Sequence, residues 1–247
     1  MEDEVMKNET ISLMLQHQSI RKFKSDPVPP EHLHTIMECA QKASTSSNMQ
    51  AYSVINVTDP ELRSQLAILA GNQIYVEQAP VFLVWCADLH RLQGSVSDQT
   101  VKPTAENFLV SSVDAALASQ NAALAAESMG LGIVYIGGIR NQLEEVIQLL
   151  QLPELVYPVF GMCIGKPDQE PSPHPRMPVE SILHENKYST VHNEELLRQY
   201  NETISNYMDQ RTQGQRKANW SQMMESKLSQ PDRILGETLQ KQGFGFR

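Results

Sequence analysis

Cysteine is scarce in this chain, with three in 247 residues, at Cys39, Cys86 and Cys163. They lie far apart with no paired spacing, which argues against a disulfide framework and against a zinc site. Cys86 and Cys163 fall in apolar runs, 81–87 and 159–164, and read as buried thiols. No apolar run reaches the ~20 residues that a membrane span needs. Residues 1–8 are acidic and polar, without the apolar core of a signal peptide. Positive charge is in deficit: 20 Lys and Arg stand against 29 Asp and Glu, a formal net charge of -9. That balance argues against a nucleic-acid binder, which shows a basic face, while leaving room for local basic pockets. Together these features fit a cytoplasmic location.

Several chemical signatures are also missing. There is no P-loop. Gly130-Leu131-Gly132-Ile133-Val134-Tyr135 imitates a dinucleotide fingerprint, but it follows a helix and opens a strand, the reverse of a Rossmann turn, and Tyr135 stands where Gly or Ala is required. No Ser-His-Asp or Cys-His nucleophile pattern stands out. The seven histidines show no metal spacing. His32 and His34, two apart on one helix, face different sides, and His90 and His192 read as solvent residues.

What is present is an ordinary globular composition, 40% hydrophobic and 20% charged. Periodicity predicts helices over 10–16, from Pro30 through Leu33, Ile36, Met37 and Ala40, and over 60–70 with Asp59 as N-cap. The longest helical stretch is 106–129, Ala-rich in its middle, ended by Gly130, and suited to a central or interface position. Strands are expected over 53–58, 81–87, 133–136 and 157–164, with Asn141 capping a helix to about Leu150. After Gly165 the character changes. Residues 168–178 hold four prolines and read as an extended loop; 193–208 is amphipathic; 210–219 is a basic loop with Arg211, Arg216 and Lys217. The reading is α+β, with a small sheet of about four strands flanked by helices. One domain overall is expected, divided into a core over 1–165 and a C-terminal excursion over 166–247 with too little apolar content for a core of its own.

Two stretches carry the most chemistry. In His17-Gln18-Ser19-Ile20-Arg21, an extended backbone would turn residues 17, 19 and 21 the same way, converging an imidazole, a hydroxyl and a guanidinium. Such a set suits a phosphate and ribityl hydroxyls; a helix C-terminus with a cation near the dipole is the plainer reading. Tyr135-Ile136-Gly137-Gly138 ends a strand in a Gly pair, where backbone can approach a planar ring. Flavin mononucleotide has both a phosphate and a ring. Residues 44–50 offer many hydroxyls and amides, either as a plain connection or as a cofactor-binding loop. His174 and Arg176, stiffened by Pro173 and Pro175, could be aimed at an anion.

With those motifs in view the chain resembles the nitroreductase superfamily, in particular its NADPH-preferring nitroreductase and flavin reductase group. The resemblance rests on 17–21, 44–50, Gly71-Asn72-Gln73, 126–132, 135–138, Pro175-Arg176-Met177-Pro178 and His184-Glu185-Asn186, in the family's order over nearly the whole chain. It implies a homodimer of α+β subunits with a small mixed, mainly antiparallel sheet, FMN at the interface, and a C-terminal excursion embracing the partner subunit. It implies that His17, Ser19 and Arg21 hold the FMN phosphate and the pyrimidine side. Thr45 and Ser46 would reach the cofactor across the interface, with Gln50 in the same loop. Gln73 would contact the ring, Tyr135, Ile136, Gly137 and Gly138 would line it, and Arg176 would bind the phosphate. Gln18 and His174 stand where the family has Arg and Lys, so both weaken a cation. Arg211 is the candidate for the 2′-phosphate of NADPH, with a solvated loop as the plainer alternative. The implied activity is ping-pong hydride transfer from NADPH to nitroaromatics, quinones, azo compounds or free flavin. The flavin does the chemistry, and no catalytic side chain or metal is called for. Two other readings stay open: an FMN-binding sensor without turnover, and a reductase dedicated to supplying reduced FMN.

Overall fold

A computed structural model describes residues 8–95, 104–191, 193–231 and 233–245; His192 lies outside them. In chain order the elements are α1 (Glu9–Leu15), α2 (Pro30–Ala40), β1 (Tyr52–Asn56), α3 (Pro60–Leu69), α4 (Tyr75–Gln78), β2 (Val81–Asp88), α5 (His90–Gln93), α6 (Ala105–Ser128), β3 (Gly132–Ile136), α7 (Leu143–Leu149), β4 (Val156–Gly165), α8 (Asn193–Arg211), α9 (Trp220–Leu228) and α10 (Gly236–Lys241). Their ends follow local chemistry. The Asp59 carboxylate accepts from the amides of Glu61 at 2.8 Å and Leu62 at 3.1 Å, and Pro60 fills the first turn of α3. Thr104 caps α6 at the Asn107 amide, and Gly130 leaves that helix at φ +74°. Asn141 does not cap α7. Asn141 instead closes a 3-10 turn, Gly137–Arg140, and α7 begins after Gln142 without a side-chain cap.

The four strands form one antiparallel sheet in the order β1-β2-β4-β3. An isolated parallel bridge, Ser19 to Ile133, adds the chain before α2 to its β3 edge. Every residue of β2 is buried, because helices cover both faces. Phe82, Val84 and Cys86 point into a cluster with Leu66 of α3 and Val146 of α7. Val81, Leu83 and Trp85 point the other way, toward Ile36 of α2 and the alanines of α6. This alternation is why the β2 sequence reads as one unbroken apolar run.

Helix α6 is amphipathic in an inverted sense. Its small residues, Ala115, Ala118, Ala122 and Ala126, are buried against the sheet, whereas Leu109, Val113 and Leu117 are exposed. Small side chains let the helix approach the sheet closely. Among the described residues no helix is long and apolar enough to cross a membrane.

The chain packs as two compact units: Met1–Ser172 with Arg233–Arg247, and Pro173–Asp232. The stretch after Gly165 therefore contributes to both. Leu239 and Phe244 enter a core cluster with Leu155 and Tyr157, where the rings of Phe108, Tyr157 and Phe244 meet at 5.1 to 5.9 Å. The second unit has a small core after all: Tyr200, Ile204 and Met208 of α8 pack with Met177, Trp220 and Met223. Its apolar residues sit at helical spacing on one face, so a few suffice. Reciprocal bonds at 2.9 Å between Asn201 and Ser221 join α8 to α9.

Candidate functional site

The segment 17–23 is extended, held by the Ser19–Ile133 bridge at one end and a Phe23–Pro167 bridge at the other. Ile20 is buried, and its amide donates to the Ile133 carbonyl at 2.8 Å. Gly132 makes this possible, since a Cβ there would run into the Ile20 side chain. Alternation then leaves Arg21 exposed. Its amide donates to Gln169 Oε1 at 3.3 Å, and among the described residues its guanidinium has no ion-pair partner. The His17 ring is tied instead to Glu127 of α6, Nδ1 to Oε1 at 2.6 Å. Among the described residues, the other oxygen of that carboxylate is buried without a hydrogen bond. His17, Gln18 and Glu127 line a groove of about 710 Å³ together with Gln16, Gln169 and Glu170.

The loop 45–51 concentrates strained backbone. Ser47, Asn48 and Gln50 all have positive φ, at 48°, 58° and 51°, a conformation unfavourable for residues with a side chain. The loop is pinned from α6. Asp114, only 2% exposed, accepts from the Thr45 hydroxyl at 2.5 Å, the Ser46 amide at 3.2 Å and the Ala51 amide at 3.0 Å. Thr45 Oγ1 in turn accepts from the Gln50 amide at 2.8 Å. The hydroxyl proton of Thr45 is thus committed, and its remaining capacity toward a ligand is as an acceptor. The side chains of Ser46, Asn48 and Gln50 stay exposed.

Gln73 and Gly138 meet. Gln73 donates to the Ala70 carbonyl at 2.6 Å and accepts from the Tyr75 hydroxyl at 2.5 Å. A Cβ on Gly138 would collide with both that carbonyl and the Gln73 amide. Here glycine lets the turn after β3 seat against the loop 70–73. Tyr135 lies edge-on to Phe160 at 5.1 Å, and its hydroxyl shares a 3.2 Å bond with Ser119. Burial pushes the Tyr135 phenol above its ordinary pKa, partly offset by that bond. Ile136 is fully buried and belongs to the core.

In the second unit the ring of Tyr207 gathers two of the expected residues. His174 lies 4.8 Å from it and the Arg211 guanidinium 5.9 Å, with Arg211 Nη1 also 3.4 Å from the phenolic oxygen. Arg176 is exposed beside Tyr200, whose hydroxyl donates to the Pro175 carbonyl at 3.1 Å. His90 is exposed, with Nδ1 3.2 Å from the Glu154 carbonyl oxygen. Three further residues belong to these arrangements: Asp114, Glu127 and Tyr207. The one signal for Asp114 in the sequence is a lone acid on the alanine face of the longest helix.

The exposed Arg21 guanidinium, the hydroxyl loop 45–51 and the Gly turn seated on Gln73 are each, taken singly, of a kind that suits a phosphate-bearing flavin. Comparison with known proteins points the same way. The model described as "Nitroreductase family" matches 14–75 and 67–166, and that of "Nitroreductase family, C-terminal domain" matches 174–247. An "FMN reductase (NADPH)" of Bacillus subtilis is 43% identical over 96% of this chain and 98% of its own. An "oxygen-insensitive NADPH nitroreductase" of Salmonella typhimurium is 42% identical over 96% and 99%. Among solved structures, an NADPH:FMN oxidoreductase from Vibrio harveyi complexed with NAD+ superposes with a TM-score of 0.88 at 41% identity, over 96% of this chain and 98% of that one. On these matches the chain belongs to the nitroreductase family.

Proposed function

We propose that this protein is an NADPH-dependent oxidoreductase that carries FMN and reduces free flavin or nitro compounds. The observation that carries the reading is that proteins named as NADPH-dependent flavin and nitro reductases match 90% or more of the chain at about 40% identity. A relative named Cr(VI) reductase, 41% identical over 95% of this chain, widens the range of acceptors to be tried.

Bound FMN would supply the redox chemistry, taking hydride from the nicotinamide and passing electrons to the acceptor in a second half-reaction. The chain's own residues bind and orient. Arg21 offers a permanent charge and a planar fork to the phosphate, and Ser19 a hydroxyl beside it. His17 takes part through the orientation that Glu127 gives its ring, and Gln18 offers an amide where a cation is more usual. Gln73 holds the ring edge with its spare N–H, while Tyr135 and Ile136 hold the strand from which Gly137 and Gly138 present backbone. The exposed loop, through Thr45, Ser46 and Gln50, serves the site of a partner subunit in a homodimer. The outward stripe Leu109, Val113 and Leu117 suits such an interface, since a solvated helix face would be polar there. Within the second unit, Arg176 and His174 offer a guanidinium and an imidazole to an anionic group of a ligand, and Arg211 reads the coenzyme 2′-phosphate. A cytoplasmic setting, where reduced nicotinamide coenzymes are supplied, accompanies the reading.

The test is optical. The purified protein should be yellow, bleach with NADPH under nitrogen, and recover colour on adding free FMN or a nitroaromatic. A yellow protein that never bleaches with either nicotinamide would replace the reading with that of a flavin-binding protein without turnover.

A further inference from the structure

We infer that Asp114 is a positioning residue that presets the loop 45–51 for the flavin, an inference that rests on the flavin reading above. The case begins with the cost of the group. A carboxylate buried in a helix face otherwise made of the small residues Ser111, Ala115, Ala118, Ser119 and Ala122 is expensive unless it is fully hydrogen-bonded. An alanine would serve the packing. All three bonds seen to this carboxylate come from the loop, and none from its own helix. The carboxylate is therefore spent on the loop.

What it enforces is specific. Oδ1 takes the Ser46 amide, and Oδ2 takes the Thr45 hydroxyl and the Ala51 amide. Because Thr45 also receives the Gln50 amide, the two ends of the loop are closed into a knot around one side chain. Met49 packs against the core cluster that contains Ala51. Between these anchors Ser47, Asn48 and Gln50 are forced to positive φ, yet Ser46, Ser47, Asn48 and Gln50 expose their side chains. Strain held in place by a buried charge, with polar groups turned outward, is the arrangement of a preorganised binding loop rather than of a connection. The conformational cost of ordering the loop is met in folding, so it does not weaken cofactor binding.

Asp114→Asn is nearly isosteric but sets an NH2 against either the Ala51 or the Ser46 amide, two donors face to face. In the full-length chain, amide exchange at Ser46 and Ala51 should speed up about tenfold or more while the rest of α6 stays protected. Flavin Kd, read by fluorescence quenching on the stripped full-length protein, should rise about tenfold or more. Thr45→Val should act in the same direction, and Thr45→Ser, which keeps the hydroxyl, should restore the original values. Arg21→Ala is measured alongside. If Asp114→Asn and Thr45→Val leave flavin Kd unchanged while Arg21→Ala raises it, the positioning role is overturned and the flavin reading stands. A uniform loss of protection along α6 with flavin affinity intact overturns it too, since that marks a packing role. A protein that binds no flavin at all removes both.

Discussion

Arg21 reaches solvent because Ile20 is held under Gly132, so the fork owes its position to a neighbour rather than to a partner of its own. Replacing it with alanine removes charge without disturbing the bridge to β3. Arg21→Ala should therefore fold normally and raise flavin Kd by roughly tenfold to a hundredfold, the range for a lost charge-assisted bond, measured by fluorescence quenching. Arg211 sits over the Tyr207 ring in an exposed position, where salt screens it. Arg211→Ala should raise KM for NADPH, leave KM for NADH nearly unchanged and spare kcat, with a smaller effect at high ionic strength. Equal losses for both coenzymes would make Arg211 structural. The thiols divide by burial. Desolvation pushes Cys86 and Cys163 from 9.0 up to about 12, whereas Cys39 is exposed. At pH 8 the native protein should release one equivalent of chromophore from a disulfide reagent, and three after unfolding. The sign for stability follows from the same shift. Both buried thiols stay protonated in the folded state while the unfolded chain ionises, so their stabilisation is full below pH 9 and is lost as pH climbs toward 12. A thermal midpoint that holds level over that window would contradict it.

At the scale of the element, β3 and the segment beside it depend on the absence of one methyl group. A Cβ at Gly132 would meet Ile20, which is buried and β-branched and so has little freedom to turn aside. Gly132→Ala should cost about 1–3 kcal/mol by overpacking and should loosen flavin as well, because 17–21 would be pushed from the sheet edge. Calorimetry and flavin titration of one variant check both. The elements also show what the sequence made legible. Asp59 and Pro60 announced α3, Gly130 announced the end of α6, and the unbroken apolar run of β2 announced a strand covered on both sides. Each is a local signal. Asn141 misled because it closes the Gly137–Arg140 turn, its amide bonded to the Gly138 carbonyl and its backbone already helical, so α7 starts after Gln142 instead. Asp114 stayed hidden for the opposite reason: its partners lie 63 to 69 residues away, beyond any periodicity. The site residues named from motifs were visible as residue types. Their commitments were not, such as the Thr45 proton given to Asp114 or the His17 ring given to Glu127.

On the scale of the whole molecule, α6 presents Leu109, Val113 and Leu117 outward along one stripe. If a partner subunit covers them, Leu117→Lys should weaken the dimer and with it flavin retention, since the 45–51 loop is then withdrawn from the partner's site. Sizing with detection at the flavin band would read both at once. A monomer that keeps one flavin per chain would contradict a shared site. The path of the chain through its two units carries a mechanical consequence. Pro173–Asp232 leaves the first unit and the chain comes back to bury Leu239 and Phe244 in it. The excursion is thus a closed loop and not a free tail. A single protease cut anywhere inside it would sever the polypeptide yet leave each new end rooted in folded structure by its other side. The fragments should part on a denaturing gel, while the native particle stays whole. Evolution meets the same geometry: residues in that loop can be added, lost or exchanged with both anchor points unmoved.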